Sequence, residues 1–331
     1  MKKVQPAVKT MSFILNSGTS FIDLSQCASL LNRRFYRQGL NWAVSGFRVS
    51  KATPTESGSS FVNISRLPDT WILSNSWEKS FRAWSKMISN ATEETNSVRP
   101  RFLDFKIYMN DEHHNAGFQA NLLPRTNQGS TAKRGEWEAS KIIIPDTTLV
   151  GNARQREVIA IGDNYPGTSP ATGFSAVSMV EGYAASRGLP NVLDPNTPDD
   201  AADIEGIAPE NWMAAIFNEG TSQDADVVED LIEENNVAPY PFENGPDPLV
   251  PGTFYTDTQY PGGANNLFGP QIVDVAYFNA GTHASKLHLK GDSFPCGLVR
   301  IDTDVNAQML LQIDLVPGYH RGYLCQSMTE M

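Results

Sequence analysis

Cysteine is scarce in this chain, and its three cysteines lie far apart at Cys27, Cys296 and Cys325. No CxxC pair occurs, so the sequence predicts neither a disulfide framework nor a zinc site, and this usage suits a reducing compartment. Long apolar runs are also missing, because no stretch approaches the roughly 18 apolar residues of a membrane span. The run from Met11 to Leu15 is too short for a secretory signal. We therefore expect a protein with no membrane partner, made in the cytoplasm or nucleus.

Signatures of common enzyme chemistry are absent as well. No GxxxxGK[ST] loop occurs, and no GxGxxG follows a strand, so no nucleotide site is predicted. The segment 291–293 resembles the start of a GDS esterase block, but Asp314 and His320 have the wrong spacing, which favours a turn between two strands. His113 and His114 have no further ligand at metal-binding spacing and are predicted to be surface or turn residues. We therefore predict no catalytic residue and a protein that is not an enzyme.

One acidic cluster offers oxygen ligands for calcium. It consists of Asp199, Asp200, Asp203 and Glu205. The cluster lacks the spacing and the glycine of an EF-hand loop, which favours a solvated acidic loop. No cofactor is predicted on this basis, and a structural calcium ion at subunit contacts stays open as the alternative.

What the sequence does have is an uneven charge distribution. The formal net charge is -11, yet residues 1 to about 52 are basic, whereas from about 180 to 258 acidic residues recur with Arg187 as the lone base. Two regions of opposite sign favour different neighbours, since a basic region attracts polyanions and an acidic region repels them. Residues that could contact nucleic-acid phosphates without reading sequence are Lys2, Lys3, Lys9, Arg33, Arg34, Arg37 and Arg48.

The hydrophobic pattern predicts an all-β fold with inserted helices. Residues 1–20 lack periodicity and indicate an extended arm. Alternating or β-branched runs predict about eight strands, at 40–51, 60–67, 101–109, 137–145, 157–163, 271–278, 297–303 and 308–316. Near-helical spacing predicts helices at 22–37, 75–90 and 175–187. The aromatic residues of the second helix, Trp77, Phe81 and Trp84, could stack on nucleobases, but their spacing favours core packing.

Strands and helices do not alternate regularly, so a parallel doubly wound sheet is not expected. The pattern favours an eight-stranded antiparallel jelly-roll sandwich with long loop insertions. We predict an N-terminal arm and short helix at 1–38. We assign 39–331 to the jelly-roll domain, with an acidic loop insertion at about 180–258. Within the first strand, a slip of the alternation at Ser45–Gly46 predicts a β-bulge.

Several segments together resemble one protein family. Pro68–Trp71 leads into the aromatic helix Trp77–Trp84, Arg101–Lys106 follows, and the late strands end in Asp314–Tyr319. In this layout, along most of its length, the chain is similar to the capsid proteins of small circular Rep-encoding single-stranded DNA viruses. The resemblance implies a single jelly roll that self-assembles into an icosahedral shell, of 60 copies or a multiple, around a circular genome. Many such capsids begin with a dense arginine-rich arm, whereas residues 1–20 carry only three lysines.

The expectation is therefore a viral coat protein found in the virion and made in the host cytoplasm or nucleus. Its partners would be other copies of itself and a single-stranded genome bound without sequence specificity, with the host receptor unidentified. Arg33, Arg34, Arg37 and Arg48 would face the lumen, and the acidic insertion would face outward.

Two alternatives stay open. One is a secreted-type β-sandwich hydrolase or carbohydrate-binding module, which needs a cleft with paired carboxylates; Glu229 and Glu233 are candidates that no spacing singles out. The other is a viral spike or accessory protein.

Overall fold

A computed structural model gives the fold of the chain. It describes residues 6–51, 60–93, 97, 103–126, 128–145, 153–162, 175–187, 213, 269–278, 286–304 and 308–331. The chain divides into two compact units. Unit 1 comprises Met1–Asp69, Ala116–Glu138 and Pro270–Met331, and unit 2 comprises Thr70–Asn115 and Ala139–Gly269.

Strands outnumber helices among the described elements. The strands are β1 (Thr10–Leu15), β2 (Gly18–Asp23), β3 (Leu40–Lys51), β4 (Ser60–Arg66), β5 (Lys141–Pro145), β6 (Ala153–Ile159), β7 (Ser175–Ser178), β8 (Gln271–Phe278), β9 (Lys286–Lys290), β10 (Ser293–Phe294), β11 (Leu298–Thr303), β12 (Met309–Leu315), β13 (Pro317–Gly318), β14 (Gly322–Tyr323) and β15 (Cys325–Ser327). The helices are α1 (Leu24–Asn32), α2 (Trp71–Ala91), α3 (Asp111–Ala116) and α4 (Met179–Arg187).

Unit 1 contains two main antiparallel sheets. In sheet I, β1 pairs with β12, β12 with β3, and β3 also pairs with β9, β10 and β15. In sheet II the order is β2, β11, β4, β8. The pairing is nested, because β1, β2, β3 and β4 pair with β12, β11, β9 and β8 respectively. In both sheets, strands from the N-terminal part of unit 1 therefore pair with strands from its C-terminal part.

A single apolar core joins the two sheets. Sheet I contributes side chains such as Phe13, Phe47 and Leu311, and sheet II contributes Ile64 and Ile301, all at most 1% exposed. These residues alternate with more exposed ones along their strands, which is the pattern of two sheets packed face to face. The expectation of an antiparallel all-β sandwich is confirmed at this level.

The N-terminal segment departs from the prediction of an arm at 1–38. Met11, Phe13 and Leu15 of β1 are fully buried in the core, and β1 follows β12 over six residue pairs. The alternation of these apolar residues is short, and its partner strand lies about 300 residues later in the sequence. The local sequence pattern therefore predicts no strand here. The structure shows that the segment belongs to the sandwich rather than to an arm.

Asp23 fixes the junction between β2 and α1. Its Oδ1 accepts hydrogen bonds from the backbone N–H groups of Ser25, at 2.9 Å, and Gln26, at 3.1 Å, which is the arrangement of a helix N-cap. Its Oδ2 accepts from Gln38 Nε2 and Trp137 Nε1, each at 3.1 Å. One buried carboxylate thus holds the helix start, the approach to β3 and the segment 116–138 in place.

One local prediction in unit 1 is confirmed and one is wrong. The register between β3 and β12 shifts so that Ser45 has no partner, which is the bulge expected at Ser45–Gly46. Gly291 and Asp292 form no turn, because β9 and β10 both pair antiparallel with β3 in one continuous register and these two residues link them. A Cβ on Gly291 would lie 2.1 Å from the carbonyl oxygen of Val44, so the close approach of this link to β3 requires glycine.

Unit 2 combines helices with a small sheet. β5 and β6 are antiparallel, and β6 and β7 are parallel. Thr70 caps α2 by accepting from the N–H of Leu73, and Trp77 and Trp84 of this helix are each 6% exposed. The ring of Trp84 lies 5.5 Å from that of Phe105, so the interpretation of the aromatic helix as core packing is confirmed.

Three predictions in unit 2 are wrong. Residues 103–107 form no strand, because Phe105 packs against the α2 aromatic residues instead of a neighbouring strand. The predicted helix at 175–187 begins with β7, and α4 starts only after it, at Met179. His113 and His114 are fully buried rather than on the surface, with His113 Nδ1 accepting from the N–H of Met109 and His114 Nε2 3.0 Å from Glu157 Oε2.

The predicted insertion also changes. Unit 2 begins at Thr70 and ends at Gly269, with an excursion into unit 1 at 116–138. Unit 2 is therefore far larger than the acidic loop expected at about 180–258, and residues 39–331 contribute to both units. Except for 180–187 and Met213, the acidic segment itself lies outside the described residues.

We expect replacement of Asp23 to destabilise unit 1. Asp23→Ala removes the helix cap and leaves the buried Trp137 and Gln38 donors without an acceptor, which should cost about 3 kcal/mol of unfolding free energy. The control Asp302→Asn alters a partly exposed pair with Arg300 and should cost less than about 1 kcal/mol. Chemical denaturation followed by tryptophan fluorescence checks both, and equal losses would contradict the role of Asp23.

The same carboxyl should make stability depend on pH. Burial raises the pKa of Asp23 above the ordinary value of an aspartate, although its hydrogen bonds oppose the shift. The folded state then holds the proton more tightly than the unfolded state, so this contribution to stability is complete at low pH and is lost as pH rises through the folded pKa. Asp23→Asn should abolish this component of the pH profile. If Asp23→Asn left the dependence of the unfolding free energy on pH unchanged, the Asp23 carboxyl would not be its source.

Candidate nucleic-acid interface

The predicted arginines gather where α1 ends. Arg33 takes a left-handed conformation with φ 53° and terminates the helix, and Arg34 and Arg37 follow on the segment leading to β3. All three side chains are exposed. Positive charge just past a helix C-terminus is favourable, because the last carbonyl groups carry partial negative charge. The sequence therefore places three cations on one short, exposed segment.

A fourth arginine joins this segment from the far end of the chain. Arg321 lies in the turn between β13 and β14 and donates a hydrogen bond to the carbonyl oxygen of Phe35. The Tyr36 hydroxyl donates in turn to the carbonyl oxygen of Arg321, at 3.0 Å. Because a carbonyl has no net charge, this contact orients the Arg321 guanidinium without neutralising it. Arg34 is held similarly, by a 3.4 Å hydrogen bond to the carbonyl oxygen of Pro6.

Neighbouring ionisable groups respond to these charges. The pKa of His320 lies below its usual value, first because the ring is partly buried and then because Arg321 and Arg37 repel a proton there. Burial raises the pKa of Tyr36 while Arg34 and Arg321 pull it down. The positive fields of the arginines therefore overlap. We call Arg33, Arg34, Arg37, Arg321 and His320 the arginine patch.

An aromatic cluster supports the arginine patch from below. The rings of Tyr36, Trp42 and Tyr323 lie 5.4 to 5.9 Å apart and are fully or almost fully buried. The Tyr323 hydroxyl donates to the carbonyl oxygen of Val8 at 2.6 Å and accepts from Asn32 Nδ2 at 2.7 Å. Burial raises the pKa of Tyr323 to about 12, so this donor stays protonated at neutral pH. The patch thus rests on a rigid base.

One exposed aromatic ring accompanies the cations. Tyr319 is 71% exposed and lies next to His320 in the β13–β14 turn. Proteins that bind single-stranded nucleic acids combine exposed aromatic rings with cations, since bases stack on the rings while arginines contact the phosphates. The site therefore combines exposed positive charge with an exposed aromatic ring.

The structure separates the remaining predicted residues. Lys9 is exposed and follows Val8, whose N–H donates to Asn32 Oδ1 at 2.9 Å, so it lies close to the end of α1. Arg48 lies on β3, eight residues beyond Leu40, and pairs with Asp314 at 2.7 Å. At about 3.3 Å per residue it is roughly 25 Å along the strand from the arginine patch. Lys2 and Lys3 lie outside the described residues, as do Asp199, Asp200, Asp203 and Glu205.

Sequence reasoning missed Arg321 and Tyr319. Both follow the last long strand, in a segment whose two-residue strands are too short to leave a periodic signal. The tight turn signalled by Pro317–Gly318 and Gly322 was the one available hint, and it could not reveal that α1 lies alongside. Only the fold brings these two ends of the sequence together.

The two outer faces of the sandwich also differ in chemistry. The outer face of sheet I carries Arg48 beside Asp314, and polar side chains such as Ser12, Ser50 and Gln312. The outer face of sheet II holds an Arg300–Asp302 pair, whose charges cancel, and large apolar side chains along its β8 edge. Of these, Ile272 is 63% exposed and Tyr277 is 66% exposed. The outer face of sheet I is therefore mainly polar apart from the partly buried pair of Ile14 and Leu310, whereas that of sheet II exposes two large apolar side chains.

Other site types find no support in the described part of the chain. Among those residues, no group of three or more His, Cys, Asp or Glu side chains is arranged to hold a metal ion. None of the described helices has the length and apolar character needed to cross a bilayer. No protein-family model, no curated protein and no solved structure matches this chain.

The arginines should control the titration of His320. Arg37→Gln and Arg321→Gln each remove a positive charge near the imidazole, so each should raise its pKa toward the ordinary value, and burial should keep it below that value. Histidine proton resonances followed by NMR measure this in a chain with five histidines. Arg300→Gln, on sheet II, is the control and should leave His320 unchanged. A pKa unaffected by both patch variants would contradict the overlap of charges.

Proposed function

We propose that this chain is a viral coat protein. In this proposal unit 1 is an eight-stranded jelly roll, and copies of the chain assemble into an icosahedral shell that encloses a single-stranded nucleic-acid genome. The proposal also places the chain in the virion. Its chemistry is assembly and polyanion binding, with no catalytic step.

The observation that carries the proposal is the nested pairing of β1, β2, β3 and β4 with β12, β11, β9 and β8. A hairpin rolled into two four-stranded layers is the connectivity of a jelly roll, an architecture that viral capsid domains use. The strands that would form these layers are β1-β12-β3-β9, with β10 and β15 also paired to β3, and β2-β11-β4-β8. In this fold the outer strands of each layer leave loops and faces available for contacts between copies, and closed symmetry turns repeated contacts into a shell.

Charge supplies the second support, since lectin domains share the same architecture. The arginine patch offers several cations and an exposed tyrosine on one end of unit 1. The acidic segment from about 180 to 258 would repel a genome. We therefore propose that the patch faces the lumen and that the acidic segment faces outward, where negative charge keeps particles apart.

Assembly is the direct test. The purified chain should form discrete shells tens of nanometres across, which size-exclusion chromatography and negative-stain microscopy detect. A protein that stays monomeric at low salt and high concentration would contradict the coat-protein proposal.

Nucleic-acid content tests the patch. Replacing Arg33, Arg34 and Arg37 with Gln removes three exposed charges and keeps side-chain donors, so co-purified nucleic acid should fall several-fold because counterion release drives such binding. The control removes the same charge elsewhere, as Arg82→Gln, Lys86→Gln and Lys133→Gln, at three other exposed positions. The ratio of absorbance at two ultraviolet wavelengths measures the content. Equal losses in both triple variants would contradict a lumenal patch.

A further inference from the structure

A second set of basic side chains lies on β9, away from the arginine patch. Lys286, His288 and Lys290 alternate with Leu287 and Leu289 along this strand. Leu289 is buried in the core and Leu287 packs against it, so the three basic side chains share the opposite face. All three are exposed. We call Lys286, His288 and Lys290 the β9 row.

The β9 row continues onto β3. His288 is paired directly with Arg48, Lys286 with Ser50 and Lys290 with Gly46, so Arg48 lies on the same outer face, between the two lysines. Arg48 forms an ion pair with Asp314 at 2.7 Å. Within the described part of the chain, no ion pair or hydrogen bond involves the side chains of Lys286, His288 or Lys290, whereas the backbone N–H of Lys290 donates to Asp274 Oδ2 at 2.8 Å. The charges of the two lysines are therefore available to an external partner.

The geometry of the row favours an extended polyanion. Alternate residues on a strand lie about 6.6 Å apart, so the row places three basic side chains at even intervals, with its two lysines roughly 13 Å apart. Consecutive phosphates of an extended single strand are spaced similarly, whereas a compact anion would contact only one lysine. The antiparallel pairing with β3 fixes the row on a rigid sheet, so binding does not need to order a loop.

We propose that the β9 row, together with Arg48, binds the phosphate backbone of a single-stranded nucleic acid. This inference rests on the proposed coat-protein function for its biological setting and goes beyond it by assigning a second contact site on the outer face of sheet I. The row reads no sequence, because lysines contact phosphates as point charges. A strand bound there would run along β9, with alternate phosphates at Lys286 and Lys290.

The test measures the salt dependence of binding in unassembled protein. Fluorescence anisotropy follows labelled oligo-dT and oligo-U between low and moderate salt, with Lys286→Gln/Lys290→Gln compared with wild type. Each lost phosphate contact lowers the slope of log K against log salt by about 0.7 for single strands, so the double variant should lose about 1.4. The control Lys86→Gln/Lys133→Gln carries the same change in net charge and should leave the slope nearly unchanged. Unchanged thermal unfolding verifies that both variants fold.

Three outcomes would overturn the proposal. The first is a wild-type slope in the row variant, and the second is an equal change in both double variants, which would reflect net charge alone. The third is that polyglutamate of matched charge displaces oligo-dT and oligo-U equally well from the wild-type protein. That result would assign the row to an acidic protein segment. Shell formation is scored separately, so a loss of slope in a protein that forms no shells would support the row and contradict the coat-protein proposal.

Discussion

The buried carboxylate of Asp23 is the interaction on which the functional end of unit 1 depends. It stops β2, starts α1 and, through Gln38 and Trp137, holds both the approach to β3 and the segment 116–138. Burial disfavours its charge and raises its pKa, so the fold accepts an electrostatic cost at this point. The hydrogen bonds of Asp23 hold the start of α1, and the arginines follow directly after the end of this helix.

This arrangement explains how an acidic protein can present a basic surface. The net charge of -11 describes the whole chain, whereas a bound polyanion experiences the local field. Arg321 joins the segment of Arg33, Arg34 and Arg37 by donating to the carbonyl oxygen of Phe35. Burial first, and then the charges of Arg321 and Arg37, lower the pKa of His320. The β9 row adds cations on the outer face of sheet I, while the outer face of sheet II exposes Ile272 and Tyr277. The outer faces of the two sheets thus differ in chemistry, with basic side chains on β9 of sheet I and exposed apolar side chains on β8 of sheet II.

Much of the sandwich was predictable because its central strands carry a strong local pattern. β3, β4, β8, β11 and β12 match predicted strands to within a residue or two, and the β3 bulge follows from the slip at Ser45–Gly46. β1 and β2 were not predictable, since short strands gain their stability from partners some 280 to 300 residues away. Residues 103–107 show the converse case, because their alternation serves packing against α2 rather than a sheet.

The candidate site was predictable in part for a similar reason. Arg33, Arg34 and Arg37 are neighbours in sequence, so their clustering was visible, but the approach of Arg321 depends on where the chain ends are folded. The sequence marks Arg48 as a candidate phosphate contact. Its pairing with Asp314 and its position opposite His288 depend on strand register. Register follows from burial of one face, which a charge count does not capture.

The central claim is that the arginine patch and the β9 row contact nucleic acid. A cryo-electron microscopy reconstruction of assembled particles tests it most directly, because it shows which surface of unit 1 lines the interior. The account predicts that the arginine patch and the outer face of sheet I border the internal density, with Ile272 and Tyr277 of sheet II away from it. Particles in which the arginine patch and the β9 row lie on the outer surface would contradict the account.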